Sequence, residues 1–354
     1  MKDLLSVSNI IKTFNQRESP VLNEISFNCA RGQILGIIGS SGSGKTSLLR
    51  IISGLDIPNS GEIILNEKLI NGQNNYITPE ERDCTLVFQD FALFPNMTVR
   101  ENISFGKNAL NNLKRVQKLL KLTKIEDLEN RYPHEISGGE QQRVALVRAL
   151  VTKPSLLLMD EPLSHLDQEL RDNVRFDLIN LFRETKTTVL FVSHDTEDAM
   201  EMADKIVVLN DGKVDQIGTP MKIYSNQVNK YVALLFGKTN LVPLDIIPNA
   251  KHHFFDPELN KEVISVRPHQ WKIGKNESRL NGINLACKVI SAHPKGALQE
   301  VKVEYKNLIF TIDVAIKHSI KMDSYVNLYF EENLQEEGHC DTEHYSLDKG
   351  NKIR

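Results

Sequence analysis

Gly39-Ser40-Ser41-Gly42-Ser43-Gly44-Lys45-Thr46 is the stretch on which the reading of this 354-residue chain turns. It fits the phosphate-binding pattern G-x-x-x-x-G-K-[ST] at every fixed position, and its surroundings are those the pattern requires. Ile34-Leu35-Gly36-Ile37-Ile38 before it is an apolar run of strand length, and Lys45 to Leu55 after it reads as a helix. Glycines without side chains let successive backbone N–H groups curl round a phosphate, and the start of the helix adds the positive end of its dipole. Lys45 is then the residue to bridge β- and γ-phosphates, and Thr46 the hydroxyl for Mg²⁺. An ordinary turn between strand and helix explains the glycines but not the Lys-Thr pair that follows them.

Two further segments belong with this loop. Leu156-Leu157-Leu158-Met159-Asp160-Glu161 is an apolar run ending in two carboxylates, as expected of a buried parallel strand whose C-terminal end faces a ligand crevice. Asp160 suits Mg²⁺, directly or through water, and Glu161 suits a general base on water in line with the γ-phosphorus. Asp-Glu-Pro is also a common strand exit, so the functional reading leans on the complete phosphate loop upstream. Ser137-Gly138-Gly139-Glu140 is a capping box before the helix-forming run Gln141 to Val151, with Val144, Leu146, Val147 and Leu150 at its apolar positions. A capped helix start is also an anion site, and two glycines let a phosphate approach the backbone, so both readings hold at once.

With these motifs the chain resembles the ATP-binding subunits of ABC transporters over roughly residues 1 to 240. The resemblance implies an α/β fold, a P-loop NTPase cassette with a helical subdomain, that closes as a homodimer on ATP and Mg²⁺. Each site is then completed by Ser137, Gly138, Gly139 and Glu140 of the other copy; Ile136 and Glu140 stand where the family's signature has Leu and Gln. Ser47 continues the phosphate loop, and Phe14 in Lys12-Thr13-Phe14 looks like the aromatic that stacks on adenine, core packing being its alternative. Gln89, in Val87-Phe88-Gln89-Asp90, looks like the glutamine that senses Mg²⁺ and the attacking water. His194, ending the run Thr188 to Ser193, looks like the histidine that contacts the γ-phosphate. Asp167, in Ser164-His165-Leu166-Asp167, looks like part of the loop that communicates across the dimer, with His165 where a small residue is usual.

Composition agrees with this and excludes other classes. A formal charge of −3, with basic residues spread along the chain, argues against a nucleic-acid partner. No run approaches the roughly 18 apolar residues of a membrane span, and Met1-Lys2-Asp3-Leu4 opens no secretory core; the resemblance then implies a cytoplasmic protein peripheral on the inner face of the cell membrane. Cys29, Cys84, Cys287 and Cys340 are scattered and fit reduced thiols, and His252-His253 in a polar stretch fits a solvated loop.

The expected organisation is a cassette over 1–238 with a helical subdomain over about 96–150, a small all-β, OB-like barrel over 239–332, and a flexible tail over 333–354. Helix is expected over Asn108 to Leu122, and Phe105 to Glu126 is shorter than the family's usual length by about two helical turns. Val263 to Arg267, Ile283 to Ile290, Glu300 to Tyr305, Leu308 to Val314 and Val326 to Phe330 are short β-rich runs, several alternating. They look like the TOBE-type barrel appended to many importer ATPases, with Arg267-Pro268-His269 as the matching step. A single cassette with such a barrel implies an importer working with two integral-membrane permease subunits and, indirectly, a solute-binding protein. An exporter-type cassette and a soluble ABC ATPase of DNA repair or translation are the competing readings. Within the importers, the resemblance leans to the branch serving ferric iron, polyamines and inorganic anions, with ferric iron first.

Overall fold

The computed structural model describes residues 2–14, 19–105, 113–164, 166, 168–248, 250–274, 283–316 and 320–330. It divides into two compact units, residues 1–239 with 252–265, and residues 240–251 with 266–354. The first unit begins with strands β1 (Asp3–Lys12), β2 (Leu22–Ala30) and β3 (Ile34–Ile38), helix α1 (Lys45–Ser53), and strands β4 (Ser60–Leu65), β5 (Lys68–Gly72), β6 (Asn75–Tyr76) and β7 (Cys84–Val87). A helical stretch follows, α2 (Val99–Ser104), α3 (Leu113–Thr123) and α4 (Gly138–Val151). Strand and helix then alternate through β8 (Leu156–Asp160), α5 (Gln168–Thr185), β9 (Thr188–Ser193), α6 (Thr196–Met202), β10 (Lys205–Asn210), β11 (Lys213–Gly218), α7 (Pro220–Ser225) and α8 (Lys230–Leu235).

The central sheet runs β11-β10-β3-β9-β8-β7, with β10, β3, β9, β8 and β7 parallel and β11 antiparallel at one edge. Its strands read as continuous apolar runs because both faces are covered. Ile34 and Ile38 of β3 join one core with Val189 and Phe191 of β9, while Leu35 and Ile37 join the other with Leu190 and Val192. The second core is roofed by an antiparallel sheet of order β2-β1-β4-β5-β6. The first takes in the apolar faces of α2, α3 and α4, including Val99, Leu119 and Val144. Thr98 and Ser137 start α2 and α4 with complete capping boxes closed by Glu101 and Glu140. Helix α3 begins at Leu113, and the residues before it in the expected Asn108 to Leu122 helix lie outside the described residues.

Parallel strands point the same way, so the C-terminal ends of β3, β7, β8 and β9 open on one edge of the sheet. That edge carries the phosphate loop after β3, Gln89 after β7, Asp160 and Glu161 at the end of β8, and His194 after β9.

The first unit also holds the hairpin of β12's successors in the chain: with β12 (Asn240–Pro243) lying in the second unit, β13 (Phe254–Asp256) pairs antiparallel with β14 (Lys261–Val266). The sequence reading gave residues 239–332 to the barrel; residues 252–265 group with the first unit. The rest of the second unit is all-β: β15 (Lys272–Ile273), β16 (Ile283–Lys295), β17 (Leu298–Tyr305), β18 (Leu308–Ala315) and β19 (Tyr325–Phe330) form an antiparallel sheet of order β15-β19-β16-β17-β18. Trp271 fills its core, stacked 5.5 Å from Phe310 and tilted against Phe330. The tail over 333–354 lies outside the described residues. Among the described residues, no helix is long and apolar enough to cross a membrane.

Candidate functional site

The phosphate loop is shaped by its glycines. Gly44 caps α1 in a left-handed backbone, φ 100°, where a Cβ would stand 2.6 Å from Leu22 Cδ2 and 2.8 Å from Val21 O. A Cβ on Gly39 would overlap the carbonyl oxygen of Leu209, so the loop leaves β3 pressed against the end of β10. Lys45, buried at the start of α1, folds its ammonium onto the loop itself, donating to Gly39 O at 2.8 Å and Ser40 O at 2.9 Å. Ser43 Oγ is buried with no hydrogen-bond partner among the described residues.

A cleft of about 500 Å³ opens over this loop. Ser41, Gly42, Gly44, Lys45, Thr46 and Ser47 of the loop line it together with Phe14, Val21, Glu161 and His194. Phe14 is 40% exposed, with the Lys12 ammonium 4.9 Å from its ring centroid, so the ring is presented rather than packed into the core.

The acidic side is drawn in by β8. Thr46 Oγ1 donates to Asp160 Oδ1 at 3.2 Å. Glu161 follows in a left-handed backbone, φ 45°, its N–H bonded to Val192 O at 3.0 Å. A non-glycine residue held in that region costs energy and clusters at functional sites. The turn aims the Glu161 carboxylate at the cleft, where Oε2 lies 3.1 Å from His194 Nδ1. Ser164 Oγ donates to Glu161 O at 3.0 Å and accepts from Gln89 Nε2 at 3.3 Å, which ties the strand exits of β7 and β8 together.

The electrostatics of this cluster are unfinished. Burial pulls the Lys45 ammonium below the usual lysine range, against the opposing pull of Glu161 and Asp160. Burial pushes the Asp160 carboxyl up, helped by the like charge of Glu161 and opposed by the Thr46 hydroxyl. A polyanion against Lys45 and a hard cation between Thr46 and Asp160 would relieve both penalties. No group of three or more His, Cys, Asp or Glu able to hold a metal forms among the described residues. A hydroxyl and one carboxylate are nonetheless the donor set that suits Mg²⁺ shared with a nucleotide's phosphates and water.

The signature segment stands apart from this cleft. Ser137 and Gly138 are exposed, Gly139 is buried and Glu140 is half-buried, and none lines the cleft of its own chain. Glu140 Oε2 accepts from the Ser137 N–H at 2.7 Å and the Ser137 hydroxyl at 2.8 Å, so a carboxylate already sits on the start of α4. Asp167 lies outside the described residues, as does His165. Sequence reasoning did not single out Val21 or Tyr231, whose hydroxyl meets the Ser40 amide; neither carries a pattern that marks it.

The model of the family described as ABC transporter matches residues 22–164. The Fe(3+) ions import ATP-binding protein FbpC of Haemophilus influenzae is 35% identical over 342 residues, covering 92% of this chain and 96% of its own. The spermidine/putrescine import ATP-binding protein PotA of Clostridium acetobutylicum is 38% identical, covering 90% of this chain and 94% of its own. Among solved structures, the dimeric cassette MJ0796 bound to ADP and Pi superposes with a TM-score of 0.53 at 30% identity, covering 61% of this chain and 98% of that one. The cbiO1 cassette of Clostridium perfringens gives a TM-score of 0.58 at 28% identity, over 66% of this chain and 94% of that one.

Proposed function

Because this chain belongs to the ABC transporter family, as an ATP-binding subunit that hydrolyses ATP, we propose that it drives solute import through separate membrane permeases. It would work as a homodimer at the cytoplasmic face of the membrane, with ferric iron as the solute. The observation that carries the reading of the site is the convergence on one cleft of Lys45, the Thr46–Asp160 contact at 3.2 Å and the Glu161–His194 contact at 3.1 Å.

Each residue then has a task. Phe14 offers its exposed ring to the adenine, and the loop amides from Ser41 to Ser47 cradle the phosphates. Lys45 exchanges Gly39 O and Ser40 O for phosphate oxygens. Thr46 and Asp160 would hold Mg²⁺, which supplies neutralising charge on the phosphates when bound. Glu161 accepts the proton of the attacking water, and His194 orients that carboxylate while reaching the γ-phosphate. Gln89 senses the site through Ser164. Ser137, Gly138 and Gly139 of one copy close on the phosphates held by the other, with Glu140 at the edge of that contact and Asp167 in the loop that joins the two sites.

The full-length matches to proteins named for ferric-iron and spermidine/putrescine import support the import role, and the ferric-iron match runs over nearly the whole chain. The dimeric cassette among the similar structures supports the homodimer. The test is reconstitution in vesicles with candidate permease subunits. Stimulated ATP hydrolysis and ATP-dependent uptake of ⁵⁵Fe(III) with its binding protein are expected. Uptake of labelled spermidine and none of iron would refute the ferric-iron assignment, and stimulation by DNA or ribosomes instead of permease would refute the importer.

A further inference from the structure

We propose that Tyr231, on the last helix of the first unit, is a positioning residue for the phosphate loop: its hydroxyl holds the loop's entering limb in the shape that receives phosphates. The Ser40 N–H donates to Tyr231 Oη at 2.8 Å, and the same hydroxyl donates to Leu209 O at 3.2 Å. Leu209 O is the atom that a Cβ on Gly39 would strike. One hydroxyl therefore links the end of β10 to the second residue of the loop, at the point where the loop leaves β3.

The limb is held from its other side by Lys45, which bonds the Gly39 and Ser40 carbonyls. Those two bonds are the ones a nucleotide takes away, because Lys45 must turn to the phosphates. The Tyr231 bond is made to an amide, on the far side of the peptide, and does not compete with that turn. With the Ser43 N–H on Ser40 O at 3.2 Å, it keeps Gly39 and Ser40 in place once Lys45 has gone.

Helix α8 is fixed well enough to serve as the anchor. Asn229 caps it, accepting from Val232 N at 2.9 Å and donating to Asp215 Oδ2 at 2.7 Å. Asp215 Oδ2 also accepts from Asn210 at 3.1 Å, one residue past Leu209. Lys230 reaches the hairpin, 2.5 Å from Glu258 and 3.5 Å from the fully buried Asp256. Tyr231 itself packs its ring on the core that lies under the sheet.

The proposal rests on the nucleotide-binding reading of the cleft, and the experiment separates the two. Tyr231→Phe keeps the ring and removes only the hydroxyl. Without it, the cradle is one of several loop shapes, and the apparent Kd rises in inverse proportion to the population that keeps the cradle. In the full chain, titration with Mg-AMP-PNP is expected to give a Kd weakened about three- to tenfold, the range set by one net hydrogen bond. ATP hydrolysis at saturation should stay within about twofold of the parent while KM rises, the pattern of lost binding rather than lost chemistry. Amide exchange of residues 39–44 should quicken without nucleotide and return to the parent rate at saturation. An unchanged Kd overturns the proposal, whatever happens to the melting temperature. Lys45→Ala is the control: if it loses AMP-PNP while Tyr231→Phe keeps the parent Kd, the cleft reading stands and the Tyr231 role falls. A parent chain that binds no AMP-PNP overturns both.

Discussion

Glu161→Gln isolates the chemical step from everything else the cleft does. The amide has the size of the carboxylate, and the left-handed backbone at φ 45° does not depend on the side chain's charge. The contact 3.1 Å from His194 Nδ1 can persist as a neutral hydrogen bond. What disappears is the group that takes the water's proton, worth about 10²- to 10⁴-fold in rate. At 1.36 kcal/mol per decade this is about 3–5 kcal/mol on the barrier. Binding should not suffer: the variant removes a like charge beside Asp160 and brings the cluster closer to accepting phosphates. Lys45 loses one of the two carboxylates that hold its proton, which the nucleotide replaces. The expected result is a chain that binds Mg-ATP at least as well as its parent, hydrolyses it at least about a hundredfold more slowly, and accumulates as a dimer. Phosphate release and size-exclusion chromatography in Mg-ATP measure the last two. A variant that retains a tenth or more of the parent rate would refute the role of Glu161.

Asp160→Asn should stabilise the nucleotide-free chain near neutral pH while abolishing Mg²⁺-dependent hydrolysis. Burial raises the Asp160 pKa on folding, so its contribution to stability is present in acid and lost as pH rises through the folded value. The gain should therefore shrink as melts are run from pH 8 towards pH 4, and a constant difference would sink the argument. Arg82→Met removes a buried guanidinium that donates to Ile51 O and Ile52 O at the end of α1, and to Ile77 O and Ile70 O. It should cost about 3 kcal/mol in urea unfolding, and a loss below about 1 kcal/mol would mean that those carbonyls find other donors. Ser137→Arg and Lys45→Ala should each be inactive alone yet recover hydrolysis when mixed. In a trans arrangement one composite site carries both defects and the other is whole, so heterodimers without activity would count against it.

The phosphate loop, its strand and its helix were legible because one local pattern fixes all three. So was the end of β8, since an uninterrupted apolar run stopped by two carboxylates has few other meanings. The capping reading and the signature reading of Ser137 to Glu140 were both available, and the first is realised in full. The Thr46–Asp160 contact spans 114 residues and follows from which strands lie near each other, and only the assignment of both residues to one Mg²⁺ pointed to it from the sequence. Tyr231 escaped notice because a tyrosine on a short helix after β11 has no local mark; its importance comes from sheet order, which sets β10 beside β3. The grouping of residues 252–265 with the first unit has no local mark for a similar reason. Short β-rich runs look alike on either side of a boundary, and the tie between Lys230 and Asp256 cannot be read from either residue alone.

That boundary is crossed more than once, which bears on how the protein is made. Residues 240–251 leave the ribosome before 252–265, yet the earlier segment belongs to the second unit and the later one to the first. A nascent chain that has just exposed residue 239 has its phosphate loop, its catalytic strands and α8, but Lys230 still lacks Asp256. It must set 240–251 aside and wait for the hairpin. Synthesis of 240–265 takes about one to five seconds at roughly 5–20 residues per second. During that interval α8 is held by Asn229 and Tyr231 but lacks the Lys230 tie to the hairpin. A stop codon after residue 239 would therefore leave Lys230 without Asp256 and Glu258, and a product that includes both partners ends beyond Glu258.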